Sequence, residues 1–371
     1  MTGRPGGPRF STGRVNFVPD SGSARAREAT LASTWLAITL PVREATMRAL
    51  QLQRLDGPDG LQLVDVPEPE AGDSVLIDVV AAGVSFPDLL LTRGQYQLKP
   101  ALPFIPGVEV AGVVRQAPAG AGVKPGQRVM AFSFGLGGFA EVAAIQPEMV
   151  FPIPADWSFE AAAGVVMNYH TAHFALHRRG RLKAEESVVV HGAAGGVGTA
   201  AVQVARGAKA RVIAVVSDER KADVARRAGA HEVLLSTGDW VAQVREKTGG
   251  LGANVVVDPV GGDIFDKSLK CLAPEGRLLV VGFASGRIPE VQVNRLLLRN
   301  IDVVGVAWGG FLLHEPSLTP TIAKDLEAMA DRGVLTPVVG PVFPLEQGAQ
   351  ALRELDARRA TGKVVLRMRE G

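Results

Sequence analysis

The chain has 371 residues, 47% of them hydrophobic and 21% charged, which suits about two folded domains and excludes disorder over most of its length. Forty Lys and Arg stand against 38 Asp and Glu, a net charge of +2, so no strong basic field points to nucleic acid or an anionic membrane. The single cysteine excludes an internal disulfide and a cysteine-built zinc site, and fits a reducing, cytoplasmic setting.

Residues 1–46 differ from the rest. Met1–Pro8 is rich in Gly and Pro, and Ser21–Arg27 is small and basic. The apolar stretch Leu31–Val42 is interrupted by Ser33, Thr34 and Pro41 and is too short to span a membrane. The segment reads as a disordered extension or the product of an upstream start codon, with the fold beginning at Met47. Its Arg-rich, acid-poor character is also that of a transit peptide. No later stretch reaches about 18 uninterrupted apolar residues, so a soluble protein is expected.

From Met47 the pattern is strand-like. Ala49–Gln53, the turn Asp56–Gly60 and Leu61–Val66 predict a hairpin. Ser74–Ala82, Val108–Val114, Arg128–Ala131 and Phe139–Ala144 predict further strands of a barrel-like domain. At Ser158 the texture turns helical, with one helix over Phe159–Met167 and another from about Asn168. Strands and helices then alternate. The strands are Ser187–His191, Arg211–Val216, Val233–Leu235, Ala253–Val257 and Gly276–Val281, and helices include Thr199–Ala208 and Arg220–Gly229. This alternation predicts an α/β fold with a doubly wound parallel sheet. After about Gly310 the chain predicts a helix Ile322–Arg332, a strand Val338–Phe343, a helix Glu346–Arg358 and a strand Lys363–Leu366.

The 43 glycines exceed the average share of about 7%, and several fall in one loop. The strand Val188–His191 runs into Gly192, Ala193, Ala194, Gly195, Gly196, Val197 and Gly198, and then into an Ala-rich helix. Glycine allows the tight turn and the close approach of backbone N–H groups to a pyrophosphate, and the helix N-terminus favours the anion. The spacing is Gly-x-x-Gly-x-x-Gly; its place between a strand and a helix in a βαβ run marks it as a dinucleotide loop. The next strand ends in Ser217-Asp218-Glu219-Arg220-Lys221. The small Ser217 leaves room for a 2′-phosphate that Lys221 or Arg220 pairs with, which favours NADPH. Asp218 and Glu219 keep NADH open.

These segments, in order, resemble the medium-chain dehydrogenase/reductase superfamily, specifically its zinc-free quinone oxidoreductase (zeta-crystallin-like) branch. The resemblance runs from Met47 to about Leu366. It rests on Gly83-Val84-Ser85-Phe86-Pro87-Asp88, Pro106 to Gly112, Asn168-Tyr169-His170-Thr171-Ala172, the glycine loop, Asp258-Pro259-Val260-Gly261-Gly262 and Gly362-Lys363-Val364. It implies a Rossmann domain (171–310) inserted in a GroES-like β-barrel catalytic domain (47–170 and 311–371), with the active site in the cleft between them. Zinc-dependent relatives carry a Cys at the position of Ser85 and a His at that of Val108, so the resemblance implies no zinc. It also implies a homodimer or homotetramer, with no nucleic-acid or membrane partner.

Without a metal to polarise a carbonyl, alcohol oxidation is poorly served. Hydride transfer from NADPH to a quinone or an enone remains, because these acceptors delocalise the incoming charge. Ser85, Asn168 and Thr171 are suited to orienting the nicotinamide and the acceptor oxygen. Tyr96, eleven residues after Ser85, matches the proton donor of medium-chain enoyl thioester reductases, which gives an alternative activity. Leu90 stands where several quinone reductases have another Tyr, and Ser85 where they have Asn. A protein that binds NADPH without turnover is a further alternative. Gly282, Phe283 and Ser285 resemble the loop over the nicotinamide, and Lys363 is expected to approach the 2′-phosphate. Val293 to Asn300 and Trp308-Gly309 are expected on the acceptor side. His170, His173 and His177 share a helical face with no carboxylate or Cys in the sequence nearby, so they are expected at the cleft or its rim. His191 and Cys271 are expected in the core.

Overall fold

The computed structural model describes residues 45–369; the expectations for the N-terminal extension lie outside the described residues. The chain opens with a hairpin, β1 (Thr46–Leu52) and β2 (Leu61–Pro67), paired antiparallel. Then come β3 (Val75–Val84), α1 (Phe86–Thr92), β4 (Glu109–Gln116), β5 (Arg128–Phe132), β6 (Val142–Ile145) and β7 (Val150–Pro152). After two helices, α2 (Phe159–Ala162) and α3 (Val166–His173), the alternating region begins. It comprises β8 (Ser187–His191), α4 (Gly196–Gly207), β9 (Arg211–Val216), α5 (Glu219–Arg227), β10 (Glu232–Leu235) and α6 (Trp240–Lys247). It continues with β11 (Ala253–Asp258), α7 (Asp263–Cys271), β12 (Leu272–Val280), α8 (Asn294–Arg299) and β13 (Asp302–Gly305). The chain closes with α9 (Trp308–Phe311), α10 (Leu318–Asp331), β14 (Val339–Pro344), α11 (Gly348–Asp356) and β15 (Lys363–Arg367).

Beyond the two-stranded β1–β2 sheet, two larger sheets organise these elements. Strands β8 to β13 form one sheet in the order β10-β9-β8-β11-β12-β13, parallel throughout. Numbered within the sheet this order is 3-2-1-4-5-6, the doubly wound arrangement with its switch point at β8 and β11. Val188, Val189, Val190, Val255, Val256 and Val257 are fully buried, as expected of strands covered by helices on both faces. The second sheet has the order β14-β15-β3-β4-β5-β7, with β6 also pairing with β3. It joins the early strands to the last strand of the chain, since β15 lies antiparallel to β3.

Four features depart from the sequence expectations. The helix expected over Phe159–Met167 is broken between α2 and α3, where Gly164, a poor helix former, stands. Helix α3 then widens into a π-helical turn over Phe174–Arg179, with the His173 and His177 rings still 4.5 Å apart across the junction. Helix α1 was not foreseen; the Asp88 side chain caps its start by accepting the Ser85 N–H at 2.8 Å. A sixth parallel strand, β13, joins the five that the sequence predicts. The expected core residues are in place: Cys271 is fully buried, and His191 is buried with Nε2 2.8 Å from Ser268 Oγ.

The edge of the parallel sheet opposite the glycine loop is tied by Arg277 on β12. Its guanidinium makes two bonds to the Glu186 carboxylate at 2.8 and 2.9 Å and donates to the carbonyls of Gly180 and Asn254 at 2.9 and 3.2 Å. One side chain thereby gathers the starts of β8, β11 and β12. Replacing one partner of such a buried pair strands the other. Arg277→Met is expected to cost about 3 kcal/mol, read as a lower urea midpoint; an unchanged midpoint would mean the pair adds nothing to stability.

Candidate functional site

The glycine loop is built as the sequence expects. Gly192 has φ +57°, a left-handed conformation that suits glycine. Helix α4 starts at Gly196 with Gly195 as its N-cap, without a side-chain cap and without an acidic residue in its first turn. Such an end presents backbone N–H groups and a positive dipole. A Cβ on Gly195 would meet only Gly192 O, at 3.5 Å, so space is open beyond it. These features fit a dinucleotide phosphate, and Gly195, Gly196, Val197 and Gly198 are the residues that could hold it; Ala194 is buried behind them. Gly198 has a different role. A Cβ there would lie 2.1 Å from Gly192 O, so this glycine lets the loop fold back on itself.

At the end of β9, Ser217 is exposed, and Lys221 reaches back to it, with Nζ 2.9 Å from Ser217 Oγ. The same Nζ donates to the Arg358 carbonyl at 2.8 Å, and Arg220 donates to the Arg359 carbonyl at 2.6 Å. Asp218 caps α5, accepting the Lys221 N–H at 3.0 Å. Arg358 in turn donates to the Ser285 carbonyl at 2.9 Å. Gly282, Phe283 and Ser285 therefore line a loop half-buried beside the chain segment that leads into β15. That segment is stitched to the glycine loop itself, because Gly362 N–H donates to the Ala194 carbonyl at 2.7 Å.

Lys363 requires a correction. It does not extend toward Ser217: it is 5% exposed, with Nζ 2.6 Å from Glu109 Oε2 and 2.8 Å from Ser85 Oγ. A buried ammonium committed to a carboxylate cannot also serve an exposed phosphate at the end of β9. Two glycines make this placement possible. A Cβ on Gly83 would lie 2.5 Å from Lys363 Cε, and one on Gly164 would lie 3.0 Å from its Cβ. Glu109 is fully buried, and its other oxygen accepts the Met167 N–H at 2.9 Å in the first turn of α3. Burial pushes the Glu109 carboxyl above its ordinary value, while Lys363 and the α3 backbone pull in the opposite direction. Asp88, also fully buried, accepts from Ser85 N and Gly107 N. Burial pushes its carboxyl up to about 6, against the pull of those bonds and of Lys363.

Asn168 is buried, donates to the Gly164 carbonyl at 3.0 Å and packs against Gly196 at the start of α4. Thr171 lies one turn further along α3, at 9% exposure. Tyr96 is half-buried; burial, and then the charge of Asp88, push its phenol above the ordinary value. Asn168 thus adjoins the glycine loop, and Tyr96 lies close enough to Asp88 to feel its charge. Val293, Leu297 and Leu298 face solvent instead, at 73%, 75% and 77% exposure. Trp308 is core, with its ring 5.0 Å from Phe132 and 5.2 Å from His170. His170 is buried and pushed down to about 3 by that burial, so it is a packing residue and not part of the cleft. His173 does have a carboxylate near it, Asp325 at 3.3 Å, contrary to the sequence expectation.

Sequence reasoning gave Glu109 and Asp88 no role. Each is an acid inside an otherwise apolar or loop motif, and an acid placed among residues bound for the core is the available signal. The donors present do not fit a zinc ion at Ser85. Its neighbour is an ammonium, which repels a cation, and Val108 offers no ligand atom. Among the described residues, no group of three or more His, Cys, Asp and Glu stands together to hold a metal. No helix of the described residues is long and apolar enough to cross a membrane. Gly198→Ala is expected to cost about 1–3 kcal/mol from the clash with Gly192 O, measured as a lower melting temperature; native melting would mean the loop can move aside.

The family model described as "Alcohol dehydrogenase GroES-like domain" matches residues 71–155, and that described as "Zinc-binding dehydrogenase" matches residues 196–331. Rat "Quinone oxidoreductase-like protein 2" is 37% identical over 325 residues, covering 87% of this chain and 92% of that protein. A probable oxidoreductase from Mycobacterium abscessus is 47% identical with a TM-score of 0.80, covering 88% of this chain and all of the other. The quinone oxidoreductase of Thermus thermophilus, solved alone and in complex with NADPH, is 38% identical with a TM-score of 0.75, covering 87% of this chain and all of the other. With the doubly wound sheet and the GroES-like sheet, these likenesses establish that the chain belongs to the medium-chain dehydrogenase/reductase superfamily, in its zinc-free quinone oxidoreductase branch.

Proposed function

We propose that the protein reduces a quinone or an α,β-unsaturated carbonyl with NADPH, without a metal. One observation carries the reading: a serine hydroxyl bonded to a buried ammonium stands where zinc-dependent relatives hold their ion, beside an uncapped glycine-rich helix start. The Thermus relative solved with NADPH supports the choice of cofactor. Gly195, Gly196, Val197 and Gly198 hold the pyrophosphate, and Ser217 and Lys221 hold the 2′-phosphate. Gly282, Phe283 and Ser285 cover the nicotinamide. When bound, NADPH supplies a hydride. Ser85, Asn168 and Thr171 orient the acceptor and shut it away from bulk water, which is most of what such a transfer asks of a protein.

A second reading, reduction of an enoyl thioester, draws on Tyr96. Its phenol stays protonated in a half-buried position near Asp88, as a proton donor to the substrate carbon requires. Crotonyl-thioester turnover that falls in Tyr96→Phe while quinone turnover persists is the outcome expected of this reading; equal turnover in both proteins would remove Tyr96 from the chemistry.

The main reading is tested by following NADPH oxidation with a panel of quinones and enones, and absence of turnover with every acceptor would overturn it. For the cofactor, Lys221→Ala is expected to weaken NADPH binding by about 1.5–3 kcal/mol, the size of a charge-assisted hydrogen bond, and to spare NADH. Equal losses for both would show that Lys221 does not read the phosphate. Gly195→Ala should weaken both dinucleotides and leave melting unchanged, because its methyl group enters only the open groove.

A further inference from the structure

Lys363 enters the site from the first residue of β15, and its surroundings fix what its neighbour can do. An ammonium carries three donors and no acceptor, so in the 2.8 Å contact it is Ser85 Oγ that accepts. The Ser85 hydroxyl must then turn its own hydrogen elsewhere. The nearest carboxylates are already engaged. Asp88 takes the backbone N–H groups of Ser85 and Gly107 on its two oxygens, and Glu109 takes Met167 N–H on one oxygen and Lys363 on the other. Ser85 keeps 7% of its surface exposed, so its hydroxyl is not wholly sealed off.

We infer that Lys363 is a positioning residue for the reduction: it holds the Ser85 hydroxyl so that its hydrogen points at the acceptor's carbonyl oxygen, with Glu109 fixing Lys363 in place. The inference rests on the reductase reading above. As the acceptor takes up the hydride, the electron pair of its C=O bond comes to rest on that oxygen. The Ser85 O–H donates a hydrogen bond to the resulting oxyanion, with the Lys363 charge directly behind it. A proton from water completes the hydroquinone or, at carbon, the saturated ketone. A lysine ammonium relayed through a hydroxyl thus supplies the positive field at this position.

The test is a mutant cycle read with 1,4-benzoquinone and NADPH. Ser85→Ala is compared with the paired replacement Lys363→Met/Glu109→Gln, which removes both buried charges together and strands neither, and with all three changes combined. Ser85→Ala is expected to lower kcat by about 100-fold, and the paired replacement by at least about tenfold. The triple variant should be no slower than Ser85→Ala alone. NADPH affinity, read by nicotinamide fluorescence, should stay at the native value. Where the paired variant fails to fold, Lys363→Gln/Glu109→Gln, which removes both charges but keeps polar groups at both positions, runs the same cycle with the same expected losses. Losses that multiply between Ser85 and Lys363, a native kcat in Ser85→Ala, or losses confined to KM or to NADPH affinity would overturn the inference while leaving the reductase reading intact. A native protein without turnover would overturn both.

Discussion

A carboxylate and an ammonium taken out of water together cost several kcal/mol per ion, and their attraction offsets this only in good geometry with further hydrogen bonds. The Glu109–Lys363 pair meets that condition with four elements at once. Strand β4 brings the carboxylate, β15 brings the ammonium, the start of α3 supplies an N–H, and the junction of β3 with α1 supplies a hydroxyl. Gly83 and Gly164 vacate the volume the lysine occupies. If any of these elements shifts, a buried charge is left without a partner, so the pair fixes their relative positions more tightly than apolar packing does. Packing tolerates small rearrangements.

This constraint also sets the relation between the two sheets. The residue before Lys363 is hydrogen-bonded to the glycine loop, and the residues before that accept from Lys221 and Arg220. The backbone that delivers the ammonium to the barrel side therefore runs along the edge of the dinucleotide groove. Charge placement at Ser85 and the shape of the loop are consequences of one stretch of chain.

The alternating region was readable from the sequence because strands buried on both faces write themselves as unbroken Val and Ile runs, and the loop after Val190 carries its glycines at fixed offsets. Lys221 was found beside Ser217 because both lie within one strand-to-helix turn, where spacing determines proximity. Helix α1 is harder to read: Pro87 follows Phe86, no apolar periodicity marks so short a helix, and only the capping by Asp88 reveals its start. The break at Gly164 was hidden in an Ala-rich stretch of otherwise helical composition. Lys363 was misassigned for a different reason. Its partner Glu109 is 254 residues away, and no local pattern carries information about a contact of that range.

The same separation has a kinetic consequence. Ser85 and Glu109 are synthesised early, and their partner lies in the last strand, 278 and 254 residues later. During synthesis, which runs at about 5–20 residues per second, the growing chain can build the hairpin, the early strands and the whole parallel sheet with this acid still solvated. Burial of Glu109 against Lys363 must wait until β15 has been made, since long-range contacts repay their loop closure only once both ends exist. The site is thus assembled only after β15 has been made, and a chain cut short before β15 lacks the ammonium that partners Glu109.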